Sequence, residues 1–68
     1  MHEDKQKILD LLLPALRATR NLHDLWDLQY DPKTETVTAT FENGSEKSAN
    51  VAMDSGTAMV RDVIGQIT

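Results

Sequence analysis

Cysteine is absent from this chain, and no long hydrophobic run replaces it. Without thiols, neither a disulfide framework nor a thiolate zinc site can reinforce a small core, and a reducing compartment fits. The longest apolar run, Leu11–Leu13, is far shorter than the roughly 20 residues of a membrane span. The start, Met1–Asp4, lacks the positive region of a secretory signal. We therefore expect a soluble cytoplasmic protein without a membrane partner.

Basic residues are scarce: seven lysines and arginines stand against eleven acidic residues, which gives a net charge of −4. This charge has the wrong sign for neutralising phosphates, so a nucleic-acid partner is not expected. One alternative reverses the roles and makes the chain an acidic inhibitor that imitates DNA and acts on a nucleic-acid-handling enzyme. The carboxylates proposed to imitate phosphates are Glu35, Glu42, Glu46, Asp54 and Asp62.

Proline and glycine are few, but they mark two turns about a dozen residues apart, at Tyr30–Glu35 and Glu42–Ser45. The Asp-Pro pair of the first favours a type I turn with proline at its second position. The Asn-Gly pair of the second favours a tight type I′ turn, in which both central residues have positive φ. Together the turns predict a three-stranded antiparallel β-meander.

The strands between these turns show alternating apolar residues, which predicts one buried sheet face. The predicted inner residues are Trp26, Leu28 and Tyr30 in the first strand, Val37, Ala39 and Phe41 in the second, and Ala49, Val51 and Met53 in the third. The outer face would be polar and uncharged at its centre, with Thr34, Thr36, Thr38, Thr40, Ser48 and Asn50. Such a face suits either a flat docking surface or an ordinary solvated sheet.

A helix is predicted on each side of the meander. From about Glu3 to Thr19, apolar residues recur at helical spacing, and Pro14 either kinks this helix or begins a second one. The second helix follows Asp54 and Ser55, both of N-cap type. Its apolar residues are Met59, Val60, Val63, Ile64 and Ile67. The sequence thus predicts one α+β domain over residues 1–68, ordered α-β-β-β-α, with both helices on one sheet face.

The first helix carries more leucine than one buried stripe requires, because Leu11 and Leu13 widen its apolar arc. We expect the surplus to contact a second copy or another protein. The predicted partner surface consists of Leu9, Leu11, Leu13 and Leu16. This interpretation makes the chain a small non-enzymatic protein-interaction module, a homodimer, with no cofactor and no small-molecule substrate.

Two patterns raise the question of a chemical site. The residues His23, Asp24 and Asp27, with His2–Asp4, offer metal-ligand types that a metal-dependent hydrolase would use. Strand side chains diverge to opposite faces, so separate surface residues are the favoured interpretation. The segment Asp54–Thr57 would place free backbone N–H groups at a helix start, where an anion can bind. An acidic residue there opposes an anion, so helix capping is favoured.

Two stretches carry a resemblance. Asn50–Val63, preceded by Tyr30–Val37, resembles short proteins of unknown function encoded in bacterial prophages and integrative elements. The resemblance covers about half the chain. It implies a bacterial, mobile-element origin and assigns a role to no individual residue.

Overall fold

The computed structural model describes residues 4–68, and their order of elements is helix, three strands, helix. The elements are α1 (Lys5–Arg17), β1 (Leu25–Asp31), β2 (Thr36–Phe41), β3 (Glu46–Asn50) and α2 (Gly56–Ile67). The strands form one antiparallel sheet in the order β1-β2-β3. The predicted α-β-β-β-α order and the β-meander are confirmed.

A single helix, α1, runs through Pro14. It begins at an Asp4 N-cap, whose carboxylate accepts a hydrogen bond from the Lys7 backbone N–H at 3.0 Å. It ends at Arg17, two residues before the predicted Thr19, and the predicted start at Glu3 lies outside the described residues. Among residues 4–68, no helix is long and apolar enough to cross a bilayer.

Both helices pack on one face of the sheet, α1 over β1 and α2 over β3. The core between these layers consists of Leu9, Leu16, Leu22, Leu25, Leu28, Val37, Ala39, Phe41, Val51, Met59, Val63 and Ile67. The inner positions predicted for the second strand are therefore confirmed. Met53 was wrongly predicted to point inward: β3 ends at Asn50, and Met53 is fully exposed in a left-handed conformation with φ 75°.

The turn between β2 and β3 differs from the predicted type I′ turn. Gly44 N–H donates to Phe41 C=O, and Phe41 N–H donates to Ser45 C=O, both at 2.9 Å, which closes a three-residue loop. Only Gly44 in this loop has positive φ, at 89°. A loop of this length with a left-handed glycine is a type I turn followed by a G1 bulge.

Candidate interaction surface

A β-bulge at the start of β1 turns Trp26 away from the core. Leu25 pairs with Phe41, but the next pair joins Asp27 to Thr40, so Trp26 is the extra residue. Leu25 fills the inner position instead and is completely buried, whereas the Trp26 side chain is 60% exposed. The prediction that Trp26 lies in the core is therefore wrong. Tyr30, which pairs with Val37, is half-buried against the core as predicted.

The face of the sheet opposite the helices has no covering element in residues 4–68. Its neutral polar residues are Gln29, Thr36, Thr38, Thr40, Ser48 and Asn50, which are exposed or half-buried. Three carboxylates, on Asp27, Asp31 and Glu46, share it. The only basic residue within the three strands, Lys47, points to the helix side, where its Nζ lies 5.8 Å from the centre of the Phe41 ring. Thr34, predicted for this face, lies in the β1–β2 turn.

Local hydrogen bonds hold the region of the bulge in place. One Asp27 carboxylate oxygen accepts from the Leu28 backbone N–H at 2.9 Å, and the other accepts from Gln29 Nε2 at 2.8 Å. A groove of about 360 Å³ lies beside Trp26 and is lined also by Phe41 and Glu42. The Trp26 indole therefore lies on a strand whose conformation is held by hydrogen bonds, and the groove beside it can accommodate a side chain of a partner protein.

The predicted leucine surface of α1 is mostly occupied within the chain itself. Leu9 is completely buried and Leu16 is 7% exposed, so the prediction that these two face a partner is wrong. Leu13 is half-buried and packs against the core, whereas Leu11 is 69% exposed. The reason is helical geometry: two residues correspond to a rotation of roughly 200°, so Leu9 and Leu11 point in opposite directions.

The candidate metal ligands do not converge in residues 4–68. His23 is exposed, and its Nδ1 lies 2.9 Å from the Arg20 carbonyl oxygen. Asp27 uses both carboxylate oxygens within β1. Within the described part of the chain, no group of three or more histidine and acidic side chains is arranged to hold a metal ion. His2 and Glu3 lie outside the described residues.

The start of α2 is capped as the sequence predicts. Ser55 is the N-cap, and its hydroxyl accepts a hydrogen bond from the Ala58 backbone N–H at 3.2 Å. The neighbouring Asp54 lies beside Asp62, and the hydrogen bond that a protonated carboxyl group can donate to the other raises the pKa of Asp54 above the ordinary value for aspartate. Burial and repulsion by the Asp62 charge raise this pKa further, while the Lys5 charge opposes them.

This acidic pair predicts a pH dependence of stability. Because the Asp54 pKa is raised by folding, the native state binds the proton more tightly, and the stabilisation is lost as the pH rises through the folded pKa. Replacing Asp62 with asparagine should lower the Asp54 pKa and remove this loss. The test is carboxyl NMR titration together with urea unfolding at pH values from about 3 to about 7.

Glu42→Gln is the matched control, because it also removes one exposed carboxylate, but from the turn that follows β2 rather than from the helix layer. It should leave the Asp54 titration unchanged. An Asp54 pKa that is the same with and without the Asp62 carboxylate would show that the two groups do not interact.

The five carboxylates proposed to imitate phosphates do not form one row. Glu35 and Glu42 lie in turns at opposite ends of β2, and Glu46 projects from the outer sheet face. Asp54 and Asp62 belong to the helix layer. An imitation of DNA requires a continuous acidic face, and these five positions are distributed over several surfaces.

Comparison of the chain with protein-family models, with curated proteins and with solved structures finds no match. The functional assignment therefore depends on the chemistry of the residues themselves.

Proposed function

We propose that this chain is a non-enzymatic protein-interaction module that binds a basic segment of another protein on its uncovered sheet face. The observation that carries the proposal is Trp26, which is 60% exposed at a bulge although a strand residue with regular alternation would be buried there. Tryptophan is enriched among the residues that contribute most to protein interfaces, and a rigid ring loses little entropy on binding.

The charge of the face specifies the partner. Asp27, Asp31 and Glu46 point outward, and no lysine or arginine of the three strands joins them. Complementary charge accelerates encounter and excludes partners of the same sign, so a lysine- or arginine-containing segment fits this face better than an acidic one. An apolar residue in that segment would enter the groove that Trp26, Phe41 and Glu42 line at the end of the sheet where β1 begins and β2 ends.

The polar centre of the face supports binding to another protein. Three half-buried threonines, Thr36, Thr38 and Thr40, lie along the central strand. Their β-branched side chains are restricted in rotamer and offer hydroxyl groups at fixed positions. By the resemblance of Asn50–Val63 we further propose a cytoplasmic role for a mobile-element protein in a bacterial cell.

The test is selection of binders from a randomised peptide display library on the immobilised protein. We expect peptides enriched in lysine or arginine with an apolar residue. Their affinity, measured by calorimetry, should fall at least about tenfold in Trp26→Ala, as expected for a residue that contributes strongly to an interface. It should also fall with added salt.

Leu11→Ala is the matched control, since it removes a large exposed apolar side chain from the opposite layer. Peptide affinity in this variant should equal that of the parent protein. Selection of acidic peptides, of peptides that bind Trp26→Ala equally well, or of none at all would contradict the proposal.

A further inference from the structure

The two edges of the sheet are treated differently by the fold. At the β1 edge, the Gln6 side-chain amide donates from Nε2 to Leu28 C=O at 3.1 Å and accepts at Oε1 from Tyr30 N–H at 2.8 Å. One side-chain amide thus takes the place of a peptide group from a neighbouring strand. This edge is closed to another strand at its centre, which is a common protection against edge pairing.

At the β3 edge, the backbone groups of alternate residues point away from the sheet. Val51 N–H donates to Glu35 C=O at 2.8 Å, and Phe41 N–H donates to Ser45 C=O at 2.9 Å. These bonds fix the parity of the ladder, so the odd-numbered residues of β3 face β2. The N–H and C=O groups of Glu46, Ser48 and Asn50 therefore face outward, and these three residues are exposed.

No side chain in residues 4–68 closes the β3 edge in the way that Gln6 closes the β1 edge. We propose that β3 pairs with β3 of a second copy of this chain, antiparallel and centred on Ser48, to form a continuous six-stranded sheet. In this register Ser48 faces Ser48 of the other copy, Glu46 faces Asn50, and each such pair exchanges two backbone hydrogen bonds.

This register is the one that pairs all five residues of β3 with the correct parity. A shift by two residues in one direction would place Lys47 opposite Lys47, and like charges directly opposite each other destabilise a sheet. Centring on Ser48 places Lys47 opposite Ala49 instead, and Glu46 opposite a neutral amide.

The charges of the helix layer also favour a second copy. Antiparallel pairing brings the end of one β3 beside the start of the other. The acidic pair Asp54 and Asp62 follows that end, and Lys47 lies at that start on the same side of the sheet. Each copy therefore offers a cation close to the carboxylates of the other, and the two-fold axis repeats the contact.

The experiment introduces a charged residue of either sign at the proposed two-fold axis. Sedimentation of the parent protein from about 10 to about 500 μM should show a monomer–dimer equilibrium in the micromolar range. Ser48 of one copy lies opposite Ser48 of the other, so Ser48→Asp alone and Ser48→Lys alone each place two like charges opposite each other. Each variant should therefore weaken the dimer at least about tenfold. An equimolar mixture of the two variants should restore association. Gln29→Lys, two strands away on the same outer face, should leave it unchanged.

Amide hydrogen exchange gives a residue-specific readout. The Ser48 amide should become more protected as the protein concentration rises, whereas the Ala49 amide, which faces β2, should be protected throughout. A parent protein that stays monomeric over the whole range would overturn the proposal. So would a dimer that survives Ser48→Asp, one lost in Leu11→Asp, or a mixture without recovery. Peptide binding at Trp26 is measured separately, so either proposal can fail alone.

Discussion

Replacing Leu9 with alanine should destabilise the protein by about 3 kcal/mol, within the range of about 2 to 5 kcal/mol for buried leucine-to-alanine changes. Leu9, on α1, is completely buried and belongs to the hydrophobic core. A domain of 68 residues buries a smaller share of its surface than a large one, so this loss is a major part of its stability. Urea unfolding followed by far-ultraviolet circular dichroism measures it.

Leu11→Ala is the matched control for this change, because it is the same leucine-to-alanine substitution about half a turn further along α1. Leu11 is 69% exposed, so its truncation should change the free energy of unfolding by less than about 0.5 kcal/mol. Equal effects at the two positions would mean that α1 is rotated from the orientation described above.

The second large effect is a gain: Pro14→Ala should stabilise the protein by about 3 kcal/mol. Proline inside a helix lacks the N–H that would bond to the Asp10 carbonyl, and costs about 3 kcal/mol relative to alanine. This difference is a net value, so it already includes the restriction that proline places on the unfolded chain. Pro14 is exposed, so no core contact is lost with its ring. The measurement is again urea unfolding.

Pro14→Gly separates the effect of the missing N–H from the effect of helix propensity. It restores the N–H but has low helix propensity, so it should give about 1 kcal/mol less stability than Pro14→Ala. Should alanine fail to stabilise the protein, the helix would not be continuous through this position under the conditions of the measurement.

The turn between β2 and β3 illustrates how two signals in one sequence compete. A two-residue Asn-Gly turn would pair residues whose numbers sum to an odd value, which sets Ala39 opposite Ser48. The apolar pattern requires Val37 to face Ala49, and the structure has this pair. A one-residue slip would expose the inner side of β3, so burial of Ala49 and Val51 favours the three-residue loop.

The candidate surface was only partly predictable from the sequence. The polar outer residues of the meander follow from simple alternation, but the exposure of Trp26 does not. The start of β1 can fill the core beside Leu28 in two ways, with Trp26 by regular alternation or with Leu25 through a bulge. Only packing against Phe41 and the helices selects Leu25. The bulge that results was not visible in an alternating pattern, because an extra residue changes the parity only at that point.

What the sequence alone determined were the features set by local chemistry: the two turn positions, the cap at Ser55, the helical and strand periodicities, and hence the α-β-β-β-α order. Tertiary structure decided which apolar residues are buried, because the elements of residues 4–68 cover only one face of the sheet and α1 presents one side to it. That selection buries Leu9 and Leu16 and leaves Leu11 and Trp26 exposed. It also decided that Gln6 closes the β1 edge of the sheet. Its partners, Leu28 and Tyr30, are 22 and 24 residues away in the sequence.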